Sequence, residues 1–154
     1  MTEDRPPFDL QAAHKYFSAH CFNATWDLID ESRRTTEEDM EMLHRSMASL
    51  WHWTQREDAK PQNLAVGYWQ VSRVYALLGQ VENALKYGAV ALKLAEGLEP
   101  FYAGFAYEAL ARAEMIAGNS EKMREYLEKA RALAETVEDE EDKQILMGDL
   151  GNIK

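Results

Sequence analysis

Apolar residues return every three or four positions along most of the chain, and strict alternation is absent. Seven helical segments follow from that period. The first runs from about Phe8 to Ser32, with Leu10, Phe17, Cys21 and Leu28 on its apolar arc and Trp26 and Ile29 at the margin. The second, about Glu37 to Arg56, places Met40, Leu43, Met47, Leu50, Trp51 and Thr54 on one face. Thr36 precedes it as a cap, with Asp39 in the first turn. The next four run from about Gln62 to Leu78, Val81 to Glu96, Phe101 to Ala117 and Ser120 to Val137. Five consecutive acids, Glu138 to Asp142, suit the start of a last short helix reaching Leu150. Pro61 and Pro100 stand where proline suits a first helical turn, and Gly79 and Gly118 where glycine stops a helix. The expected fold is all-α, six main helices and a short C-terminal one, paired as antiparallel hairpins in a single domain. Within it, residues 1–7 are a flexible lead, 8–56 an atypical hairpin, 62–137 two regular hairpins and 143–150 a cap.

Composition narrows the classes. With 154 residues the chain is long enough for one core. A net charge of -10 argues against a nucleic-acid partner, whose phosphates require cationic contacts. A single cysteine, Cys21, excludes an internal disulfide and a cysteine-based zinc site, and falls where a buried thiol is expected. No apolar run is long enough to span a bilayer, and the N-terminus lacks the pattern of a secretory signal, so the expected setting is the cytoplasm.

The helix–turn–helix unit recurs, and stacking is the means by which such pairs hide their apolar faces. Tyr68, Ser72, Tyr75, Gly79, Ala84 and Ala91 stand at the spacing of a tetratricopeptide repeat, and this stretch resembles that family. Gly88 replaces the large helix-B aromatic of the family pattern, and no proline closes the unit. Tyr107, Ala111, Gly118 and Ala130 repeat part of the pattern, with Glu114 and Met123 departing from it. The two turn glycines are 39 residues apart, against about 34 in the family.

The resemblance implies a groove, lined by the first helix of each unit, that binds a peptide or partner protein. The matching positions are Val66, Trp69, Gln70, Arg73, Ala76 and Leu77, then Phe105, Glu108, Arg112, Met115 and Ile116. Trp69, Gln70, Arg73, Glu108 and Arg112 are the chosen partner-binding residues. Trp69 would anchor the ligand, and Arg73 with Arg112 would grip a carboxylate. The competing reading packs Trp69 under the first helical pair and pairs Arg73 with Glu108. Self-association as a homodimer is a further expectation, since a short array ends in apolar faces.

No nucleophile elbow, phosphate loop or nucleotide fingerprint occurs, so the expected function is a non-enzymatic interaction module without a cofactor. The alternative is a small-molecule-binding protein or metal-dependent enzyme. His20 and Asp27 lie on one stripe of the first helix and His44 on the second, and two imidazoles and a carboxylate ligate zinc or iron. His14 and His52 have less to recommend them as ligands.

Overall fold

The computed structural model describes residues 5–154. These form seven α-helices and no strand: α1 (Leu10–Ile29), α2 (Thr36–Gln55), α3 (Pro61–Leu77), α4 (Val81–Leu94), α5 (Pro100–Ala117), α6 (Ser120–Glu135) and α7 (Glu140–Leu150). They divide into two compact units, the first ending at Ala59 and the second spanning Lys60–Lys154.

The first unit is the hairpin of α1 and α2. Asp9 caps α1 by accepting from the Ala12 N–H. Thr35 and Glu38, each one residue before the expected pair, cap α2 reciprocally. The Thr35 Oγ1 accepts from the Glu38 N–H at 3.2 Å, and Glu38 accepts from the Thr35 N–H at 2.7 Å. Arg34 braces the intervening turn, donating to Asp39 at 2.7 Å and to the carbonyls of Leu28 and Glu31.

This hairpin packs through the face the apolar period selects only in part, at Leu50. Its buried residues are His14, Ser18 and Thr25 on α1, and Met42, Ser46, Ser49 and Leu50 on α2. Small hydroxyl residues let backbones approach closely, and each hydroxyl finds a carbonyl. Ser49 donates across the seam to the Ser18 carbonyl at 2.8 Å, while Thr25 and Ser46 bond back to Cys21 and Leu43. Leu10, Phe17, Met40 and Trp51, expected inside, are 43–56% exposed. Thr54 is also exposed, and Cys21 is half-buried rather than enclosed.

The second unit stacks α3/α4, α5/α6 and α7, each packed on its neighbour in sequence, with α3 also against α5 and α5 against α7. A period of 39 residues governs it. Pro61 and Pro100 open α3 and α5, and Gly79 and Gly118 follow them in the left-handed conformation, at φ 73° and 75°. Tyr68 packs on Tyr87 with ring centroids 5.7 Å apart, and one period later Tyr107 packs on Tyr126 at 6.1 Å. Ala106, Ala109, Ala111 and Ala113 of α5, with Ala84, Ala91, Ala130 and Ala134, fill the contacts between helices. At Gly88 the place of a large aromatic is already taken: an added Cβ would lie 3.0 Å from Leu110 Cδ2 and 3.3 Å from Ser72 Oγ. At Gly104 an added Cβ would lie 2.6 Å from Leu146 of α7. The acids Glu140–Asp142 form the first turn of α7, capped by Asp139.

Candidate partner-binding face

Trp69 and Arg73 are one turn apart on α3, and Glu108 and Arg112 occupy the same two positions one period later on α5. Because α3 packs against α5, the four side chains meet. Glu108 is fully buried. Its Oε2 accepts from the Trp69 indole N–H at 2.8 Å. Its Oε1 accepts from Arg73 Nη1 at 3.1 Å and from Arg112 Nε at 2.7 Å, with Arg112 Nη2 at 2.6 Å. A carboxylate at full burial stands only when paired and hydrogen-bonded, and Glu108 has both forms of support.

The arginines expected to grip a partner's carboxylate therefore hold an internal one. Trp69 is 9% exposed, with its ring edge-on to Phe105 at 5.1 Å, and Gln70 is 1% exposed. The arginine side chains keep an outer edge, 13% exposed for Arg73 and 11% for Arg112. The α7 helix closes the far side, where Arg112 Nη2 donates to the Asp149 carbonyl at 3.4 Å. Partial burial, then the Glu108 charge, raise the Asp149 carboxyl above its ordinary value, against the pull of Arg73 and Arg112.

One turn beyond the arginines, Leu77 on α3 and Ile116 on α5 repeat the 39-residue register and stand 39% and 45% exposed. Two neighbouring helices thus present an arginine edge and an aliphatic side chain at matching positions.

The N-terminal constellation assembles differently from the expectation. His20, Asp27 and His44 are each exposed, and His20 stacks on Tyr16 at 5.2 Å. Among the described residues no three His, Cys, Asp or Glu side chains gather as a metal site. These three lie away from the hydroxyl-lined seam, which is why they do not converge. The histidines that do meet are His14 and His52, with Nδ1 to Nδ1 at 2.8 Å. His14 is 6% exposed, and Trp51 stands edge-on to both imidazoles, at 5.5 and 4.9 Å. Phe17 stacks on His52 at 5.4 Å. Burial, and then the neighbouring His14, lower the His52 imidazole below its ordinary value. The signal for this pair was the stripe His14, Ser18, Thr25 facing Met42, Ser46, Ser49, spaced as a helical face but too polar for a hydrophobic period to select.

Trp53 is half-buried, with the Arg56 guanidinium over its ring at 3.8 Å. In the second unit an open cleft of about 700 Å³ lies among Glu99, Phe101, Glu138 and Asp142. No family model matches the sequence, and no curated protein or solved structure matches it.

Proposed function

We propose that the chain is a non-enzymatic interaction module resembling a tetratricopeptide array, which binds a peptide segment of a partner protein across α3 and α5. The observation that carries this reading is the repeated surface motif, Arg73 below Leu77 and Arg112 below Ile116, one period apart on helices that touch. Interfaces favour apolar anchors beside arginine. The internal pairing with Glu108 fixes both guanidinium groups before a ligand arrives, so less rotamer freedom is lost on binding. A fitting segment carries aliphatic side chains for Leu77 and Ile116 and an acceptor for the outer arginine edges. Trp69 and Glu108 then support the face from behind.

The test is a displayed random-peptide library panned on the whole protein, followed by fluorescence anisotropy with a recovered peptide. Leu77→Asp and Ile116→Asp each place a charge on an exposed position and leave the Glu108 cluster intact. Each is expected to weaken binding at least ten-fold, or roughly 1.4 kcal/mol. Undiminished affinity in both variants, or a library that yields nothing above background, would remove the assignment.

A further inference from the structure

We propose that His14 and His52 form a two-coordinate site for a monovalent copper ion on the N-terminal hairpin. Two imidazoles aim the same nitrogen, Nδ1, at each other across 2.8 Å. In the empty pair a single proton lies between them, one ring donating and the other accepting. Each Nδ1 is also a metal ligand when it carries no proton.

The surroundings select the ion. A metal–imidazole bond is roughly 2 Å long, so two collinear bonds need the nitrogens roughly 4 Å apart, and the rings must part by about 1 Å. His14 is buried, while His52 is only half-buried and is the ring with room to swing. Zinc sites in proteins take at least three side-chain ligands, and no third His, Cys, Asp or Glu joins the pair among the described residues. Copper in its monovalent d10 state accepts two collinear nitrogens.

The proton balance closes without redox change. Whichever ring donates gives up its Nδ1 proton and takes one at its own Nε2. Both imidazoles stay neutral, and the site gains the one charge of the ion.

The experiment is an anaerobic titration of the full chain with monovalent copper held by bicinchoninate, in the presence of ascorbate. Wild-type protein is expected to withdraw one equivalent from the chelator. His52→Phe keeps a ring beside Phe17 and Trp51 and removes the ligand. It is expected to lower copper affinity at least a hundred-fold while circular dichroism shows the same helix content. His14→Gln is expected to do the same, and X-ray absorption of the loaded wild type to show two nitrogen neighbours. Failure of the wild type to withdraw copper overturns the site, as does retention by a folded His52→Phe. A preference for zinc under the same competition, or a coordination shell of four, overturns the choice of ion.

Discussion

At the scale of single residues, charge placement decides more than hydrophobicity does. Replacing Glu108 by Gln leaves two guanidinium groups facing a neutral amide, and breaking a buried pair from one side is costly because the remaining charge stays desolvated. Urea unfolding of Glu108→Gln is expected to show a loss of about 3 kcal/mol. A loss below about 1 kcal/mol would mean the cluster is solvated in practice. Asp149 acts with the opposite sign. Its carboxyl is raised in the folded chain, so as pH rises the unfolded chain releases this proton first. Its contribution is most favourable below the ordinary carboxylate value and is lost as pH climbs through the raised one. Asp149→Asn is therefore expected to be more stable than wild type at pH 7, and the difference to vanish near pH 3. An Asn variant that is less stable at neutral pH would show that the attraction of Arg73 and Arg112 outweighs burial. Asp58 gives a check free of burial. Both its oxygens accept from Arg56, at 2.8 Å each, which lowers its carboxyl to about 2. Carbon-detected titration should find that midpoint, and Arg56→Lys, which lacks the planar fork, should return it toward the usual range.

At the scale of helices, the stops and close approaches carry the argument. At Gly104 α5 comes close to α7, and an added methyl meets the fully buried Leu146. Gly104→Ala is expected to cost about 1–3 kcal/mol, with α7 amides losing protection first. Unchanged protection of α7 would show that Leu146 yields without cost. The helices themselves were legible in the sequence because their punctuation is strong. Proline at the start of α3 and α5 and glycine after each mark the ends by backbone geometry alone. The inner faces were legible mainly in the second unit, where Val71, Ala84 and Ala91 are both apolar and buried, and in the first at Leu50. In α1 and α2 the apolar period selected Leu10, Phe17 and Trp51, whereas the seam is built of Ser18, Thr25, Ser46 and Ser49. A hydroxyl that bonds back to a carbonyl reads as polar along the chain and behaves as a small, satisfied group inside. The meeting of His14 with His52 was hidden for the same reason, since it lies on that seam. The pairing of Arg73 with Glu108 was legible from residue type and spacing, whereas Arg112 was expected on a ligand's carboxylate. That Glu108 would be the buried centre was not legible, because burial depends on how closely α3 and α5 approach.

At the scale of the whole molecule, the two compact units differ in what holds each together. The unit of α3 to α7 encloses Val71, Val74, Leu110, Leu127, Leu146 and Leu150 along with more than ten buried alanines or other small residues, each packed between helices. The hairpin of α1 and α2 encloses two large aliphatic side chains, Met42 and Leu50, and otherwise serine, threonine and one histidine. Burial of a large aliphatic side chain is worth about 1.5–3 kcal/mol, whereas a hydroxyl paired with a carbonyl is worth about 1 kcal/mol or less. The hairpin therefore has less to lose when it opens, with Met42 and Leu50 its only large buried aliphatic side chains among the described residues. Hydrogen exchange should follow this difference, because amides exchange through the cheapest opening that frees them. At neutral pH the amides of α1 and α2 are expected to exchange at least ten-fold faster than those of central α5. Addition of monovalent copper should slow exchange across the hairpin while leaving α5 unchanged, since an ion held by one ligand from each helix ties α1 to α2. Equal protection of hairpin and α5 without metal would show that the hydroxyl seam is as strong as the alanine core, and that small polar contacts at close range hold two helices as firmly as apolar packing does.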